Sequence, residues 1–184
     1  CVTGCLNFGA VSVHFYEIKN TYQPTDITAG LHGVIHPWNI VHRNEPLDIW
    51  VYDHTKEYEP LVYIESSWVY AWDGSKFKDV SSSYQAEYQS QIDQIANEIR
   101  TKNMQPITST RVDMLQILML SNKANLPPQQ TLQTFLDISN PAHWPGTNPT
   151  LTCWLQLARA YAQRDVTKGR PFTTPPNEGK LTKA

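Results

Sequence analysis

The hydrophobic period of this chain changes once, at Ser81-Ser82-Ser83. That change constrains the fold more than any motif does. Before it, apolar residues recur every second position, as in strands with one face buried. Val11, Val13 and Phe15 alternate with Ser12, His14 and Tyr16 inside a first strand over 6–20. Leu31 to Val41 reads as one or two short strands broken near Pro37, since proline cannot donate to a ladder. Leu47, Ile49 and Val51 oppose Asp48, Trp50 and Tyr52 in a strand over 47–52. Asp53 to Pro60 reads as a polar connection, and Leu61 to Trp72 as the next strand. Asp73-Gly74 is a turn signal that closes a hairpin onto a short return strand, Lys76 to Val80. Connections this short exclude helical crossovers, so the sheet is expected to be antiparallel.

After the serine triplet the period becomes that of a helix. Tyr84, Tyr88, Ile92, Ile95 and Ile99 form one stripe, with a serine of the triplet available as N-cap and Glu87 in the first turn. Ser109 or Thr110 can cap a second helix reaching Lys123. Its Val112, Met114, Leu115, Ile117, Leu118, Met119 and Leu120 are apolar on most sides, as expected of a central helix. A third helix starts at Pro127-Pro128 and runs to Ile138 with Leu132, Phe135 and Leu136 inward. A fourth spans 150–164 with Leu151, Trp154, Leu155, Ala158 and Tyr161 inward. From Thr167 the chain is polar and carries Pro171, Pro175 and Pro176, so it is expected to be extended.

The expected class is therefore α+β: an N-terminal antiparallel sheet of about five strands packed against a C-terminal four-helix half. Residues 1–166 are read as a single domain, β-rich over 1–80 and helical over 81–166. Residues 167–184 are read as a proline-containing tail. With 184 residues, 40% of them hydrophobic, such a domain can bury a substantial core.

The chain's net charge of −2 argues against a nucleic-acid partner. Its 8 glycines form no phosphate-binding loop. The longest apolar run, Met114 to Leu120, is far shorter than the roughly 20 residues that span a bilayer.

Cys1 as first residue fits a mature bacterial lipoprotein, an N-terminal nucleophile hydrolase, or a cut without chemical meaning. The nucleophile reading lacks polar partners in Cys1-Val2-Thr3-Gly4-Cys5. Lipid attachment at Cys1 is the expectation, with the membrane as one partner through that anchor. Cys5 and Cys153 would then be the remaining pair, and Cys153, in an apolar helical context, is expected as a buried thiol. No C-x-x-C occurs. His32, His36, His42 and His54 cluster in sequence, with His14 and His143 apart; His32 and His36 could converge on a strand face with His42, His54 or Asp53 as third ligand, but no H-E-x-x-H and no nearby Cys accompany them, and they read as surface or structural. No metal or cofactor is expected.

Two residue sets could carry binding. Trp50 and Tyr52 share one strand face and Trp68, Tyr70 and Trp72 another. In register they would make a candidate ligand face for sugars, or the core beneath the helices. Glu65, mid-strand, reads as solvent-facing. In the tail, Lys168, Arg170 and Lys180 favour an acidic or polar partner, and Phe172 is the candidate anchor. The alternative for the tail is that it packs back on its own domain.

Together these features predict a non-catalytic lipoprotein of the bacterial envelope, in the outer membrane and facing the periplasm or the cell surface. Its role would be that of a structural or accessory subunit whose partners are other protein subunits. The alternative is a secreted or periplasmic carbohydrate-binding module or hydrolase using the aromatic face. A cytosolic or viral interaction protein is the third reading.

Overall fold

The computed structural model describes residues 16–17, 25–26, 40–41, 48–59, 62–101, 108–144 and 149–176. Its strands are β1 (Tyr16–Glu17), β2 (Thr25–Asp26), β3 (Ile40–Val41), β4 (Asp48–Glu59), β5 (Val62–Trp72) and β6 (Phe77–Asp79). Its helices are α1 (Gln85–Thr101), α2 (Thr108–Ala124), α3 (Pro128–Ile138) and α4 (Pro149–Thr167). The class is thus mixed strand and helix, and strands precede helices as the change of period requires.

The chain divides into two compact units, Cys1–Thr55 with Glu65–Ser81, and Lys56–Ile64 with Ser82–Ala184. In the first, β1 pairs antiparallel with β2, and a separate four-stranded sheet has the order β3-β4-β5-β6. The expected sheet of about five strands is not what the described residues form. β1 closes on its near neighbour β2, Tyr16 opposite Asp26, rather than joining the larger sheet.

β4 is also longer than its apolar alternation suggested. Residues 53–59, expected as a connection, continue the strand. Backbone pairing with a neighbouring strand requires no apolar face, and Thr55 and Tyr58 suit a pleated surface.

β5 and β6 form the expected hairpin, with Trp72 opposite Phe77 and Tyr70 opposite Asp79. Asp73 builds its turn. Its Oδ1 accepts from the Ser75 amide and hydroxyl, both at 2.8 Å, and from the Lys76 amide at 2.9 Å. Its Oδ2 meets Lys78 Nζ at 2.8 Å. The Lys78 ammonium, then the Lys76 and Ser75 donors, hold the Asp73 carboxyl well below the usual carboxylate range. Gly74, at φ +93°, takes the left-handed position that a residue with Cβ resists.

The serine triplet forms a 3₁₀ turn, and Ser81 serves the strand rather than the helix. Its Oγ accepts from the Val69 amide at 3.0 Å, and its own amide donates to Asp79 Oδ1 at 2.9 Å.

In the second unit, α1 packs on α2 and α3, α2 on α3, and α3 on α4. α2 is central, with Met114, Leu115, Ile117, Leu118 and Leu120 at most 1% exposed. The α1 stripe is buried at Tyr88, Ile92 and Ile99, with Ala96 buried in place of Ile95, which is half-buried. In α3, Phe135 is buried as expected. Leu132 and Leu136 are only half-buried, because Thr131 and Ile138 take the inner positions. Thr131 does so by sharing a 2.8 Å hydroxyl bond with Ser121 of α2, which satisfies both polar groups in the core.

Helix ends are closed by side chains from neighbouring helices. Gln85 Nε2 donates to the carbonyls of Ala124, the last residue of α2, and of Asn125 after it, at 3.2 and 3.1 Å. Arg159 donates to the Leu136 carbonyl and to Ser139 Oγ beyond α3. Trp144 Nε1 donates to the Ile138 carbonyl at 3.0 Å.

Candidate functional site

The most organised polar arrangement among the described residues lies where α2 and α4 end. Both helices close with a Schellman motif, in which the residue past the cap adopts a left-handed conformation and amides bond back to carbonyls of the last turn. For α4 that residue is Gly169, at φ +60°. Its amide donates to Val166 O at 3.0 Å and the Arg170 amide to Asp165 O at 3.1 Å. For α2 it is Asn125, at φ +51°. Its amide donates to Asn122 O at 3.3 Å and the Leu126 amide to Ser121 O at 3.0 Å.

The α4 cap turns the chain back, so residues 170–176 run as an extended strap. Asn122 of α2 reads the strap's backbone. Its Nδ2 donates to the Phe172 carbonyl at 2.8 Å and its Oδ1 accepts from the Phe172 amide at 2.9 Å. Phe172 itself is 5% exposed, and Pro175 is buried.

Asp165 of α4 holds the strap from the other side. Its side chain is wholly buried. Arg170 Nε and Nη2 both approach Oδ1 at 2.7 Å, and Arg164 Nε and Nη2 reach it at 3.0 and 2.9 Å. Oδ2 accepts from the Thr173 hydroxyl at 2.6 Å and the Thr173 amide at 2.8 Å. Arg164 closes the circuit by donating to Thr173 Oγ1 at 2.9 Å while its guanidinium stacks on Tyr161 at 4.0 Å. Burial opposes ionisation of Asp165. The bonds from the Thr173 hydroxyl, Arg170, the Thr173 amide and Arg164 outweigh it and lower the carboxyl from 3.8 to about 2.

Beside the strap is an open recess of about 240 Å³. Leu126, Pro128, Pro171 and Phe172 supply its apolar walls, and Asn122, Asn125 and Arg170 its polar ones.

The residues singled out in the sequence fare differently. Lys168 and Arg170 are exposed, but Arg170 is committed to Asp165. Phe172, the expected anchor for a partner, is buried in its own chain. The segment through Pro176 packs back on the helices, because Asn122 and Asp165 satisfy its backbone and hydroxyl groups there. Lys180 and Cys1 lie outside the described residues.

Cys153 is exposed and not the buried thiol expected. The buried stripe of α4 runs through Leu151, Trp154, Leu155, Ala158 and Ala162, and a step of one residue rotates about 100° away from Trp154.

On β5, Trp68 and Tyr70 stack with centroids 6.2 Å apart. Trp72 meets Phe77 edge-on at 5.1 Å, as their cross-strand register requires. Tyr70 is buried, and Trp68 and Trp72 are half-buried. Trp50 and Tyr52 are carried by β4, next to β5 in sheet order. The joining of all five rings into one face falls outside the described residues. So do His32, His36 and His42.

Asp165 and Asn122 were missed by sequence reasoning. A signal existed for Asp165, which falls three residues after Ala162 and seven after Ala158, on the buried stripe, where a carboxylate demands partners. Asn122 gives no such signal, since its role depends on where the strap lands.

Comparison with protein families, characterised proteins and solved structures found no match to this chain.

Proposed function

We propose that this chain is a non-catalytic structural or accessory subunit that docks a neighbouring protein on the strap and the recess beside it. The observation that carries this reading is the way residues 170–173 are bound to side chains of α2 and α4, with Pro175 buried after them. A segment with no helix or strand of its own is held by side chains from two helices, through its backbone and through a buried carboxylate. Ordering a surface before it meets a partner lowers the entropy lost on association. The recess has apolar walls at Leu126, Pro128 and Pro171, and the exposed Lys168 precedes its Gly169 in the chain, which suits an apolar contact with acidic or polar groups nearby.

The test is a double substitution, Pro128→Ser with Lys168→Glu, which leaves the Asp165 and Asn122 contacts intact. The variant should keep its thermal unfolding midpoint and lose the subunits that co-purify with the unaltered chain. Retention of the same subunits at the same stoichiometry would sink the reading.

A second reading is supported by the partly exposed Trp68 and Trp72, which keep some ring surface open to a sugar. Under it, Trp72→Ala should lower retention on immobilised polysaccharide.

A further inference from the structure

We infer that Arg164 and Arg170, gathered on the buried Asp165 carboxylate, form a binding site for a phosphate group. The site borders the recess through Arg170 and does not need a subunit docked there.

Both guanidinium groups turn the same edge to Asp165. Nε and Nη2 of Arg170 lie 2.7 Å from Oδ1, and Nε and Nη2 of Arg164 lie 3.0 and 2.9 Å from it. A guanidinium is planar and holds its N–H donors in a fixed fork, so in each arginine Nη1 is on the edge away from Asp165. Arg164 is pinned twice more. Its Nη2 donates to Thr173 Oγ1 at 2.9 Å, and its Cζ lies 4.0 Å from the centre of the Tyr161 ring. Side chains fixed in this way spare a ligand the entropy of ordering them.

Closing the strap accounts for one of these arginines. One guanidinium neutralises one carboxylate, and Thr173 fills Oδ2 with its hydroxyl at 2.6 Å and its amide at 2.8 Å. The second guanidinium leaves a positive charge over, and the exposed Lys168 adds another. From 164 to 173 the three cations Arg164, Lys168 and Arg170 less the one carboxylate Asp165 leave two positive charges, in a chain whose net charge is −2. Asp165 is wholly buried, whereas the Arg164 and Arg170 side chains are 35% and 42% exposed, so an anion arriving from water meets the cations first. The size of the excess selects the anion. A phosphate monoester carries about −1.5 to −2 at neutral pH and three terminal oxygens, which suit both Nη1 groups, whereas a carboxylate brings a single charge.

The test is a titration of the isotope-labelled full chain, followed by NMR on the arginine Nε–H signals at constant ionic strength. Arg164→Lys and Arg170→Lys each identify one signal by its loss. Inorganic phosphate should shift both signals along one saturating curve in the low millimolar range, while chloride and acetate should not saturate them. Arg170→Lys keeps the charge and loses the fork, so phosphate binding read at Arg164 should weaken by about fivefold or more. Lys168→Gln removes a charge outside the fork and should weaken it by about twofold or less. Pro128→Ser changes only the recess wall and should leave it unaltered. Glycerol phosphate separates two sources of the group. Binding as tight as that of inorganic phosphate assigns a phosphate borne by a ligand, and weaker binding assigns the free ion.

Shifts that stay linear in phosphate, equal saturation by acetate, equal losses in Lys168→Gln and Arg170→Lys, or a loss in Pro128→Ser would each overturn the site. Should Arg170→Lys fail to fold, Arg164→Lys read at Arg170 replaces it, and the comparison of phosphate with acetate needs no variant. Failure here with co-purifying subunits retained removes only this inference. Phosphate binding in a chain that docks no subunit removes only the docking.

Discussion

Replacing Asp165 with asparagine removes the charge that the strap closes on, and the structure gives the size of the effect. The carboxyl is lowered from 3.8 to about 2 in the folded chain. At about 1.36 kcal/mol per pKa unit, the ionised form contributes roughly 2.5 kcal/mol near neutral pH. That figure is an upper bound, because the partner side chains of Arg164 and Arg170 are 35% and 42% exposed and water screens them.

The sign follows from the direction of the shift. A carboxyl lowered by folding stabilises above its unfolded value of 3.8, and the contribution is lost as pH falls through about 2. About half of it should be gone by pH 3. The substituted asparagine keeps the shape but offers one acceptor oxygen and an amide aimed at donors, so the arginines lose their counter-charge. At pH 7, urea denaturation should place Asp165→Asn about 1–2.5 kcal/mol below the unaltered chain. The gap should stay constant down to about pH 5 and narrow between pH 4 and 2. Subtracting the variant's curve cancels Asp73, which is also held low and titrates in both proteins. A gap independent of pH, or equal stability at pH 7, would refute the assignment of Asp165 as an ionised clamp.

Further outcomes follow from the same structure. Leu118→Ala, at a site 1% exposed on the central helix, should cost about 2–5 kcal/mol in chemical denaturation, and an unchanged midpoint would contradict its burial. Asn122→Ala leaves the Phe172 amide and carbonyl without their side-chain partner, so limited proteolysis should cut within 170–176 several-fold faster while the helices resist. Asp73→Ala should speed amide exchange at Ser75 and Lys76 and spare α1–α4, and equal protection in the variant would show that the turn does not depend on that carboxylate. Exposed Cys153 should react with a thiol reagent in the folded protein about as fast as after unfolding, and strong protection would place α4 in another rotation.

The amino-acid sequence by itself determined the order of strands and helices, the hairpin at Asp73-Gly74, the central place of α2 and the inward stripe of α1. These depend on neighbours a few positions apart, through a period of two or 3.6 residues and through turn chemistry, so a linear reading reaches them. What it missed needs contacts between distant positions. The length of β4 follows from a partner strand that lends hydrogen bonds to a polar stretch. Ser81 leaves the helix it could have capped because the Val69 amide, 12 residues back, lies within reach. The tail reads as extended and as a docking segment, and Pro171, Pro175 and Pro176 do keep it extended. Whether Phe172 faces a partner or its own chain depends on Asn122, 50 residues earlier, offering both amide atoms where the Schellman turn at Gly169 delivers the strap. Asp165 is buried only because Arg170 and Thr173 fold back over it. A carboxylate there without those donors would not leave water, and that balance is decided in three dimensions.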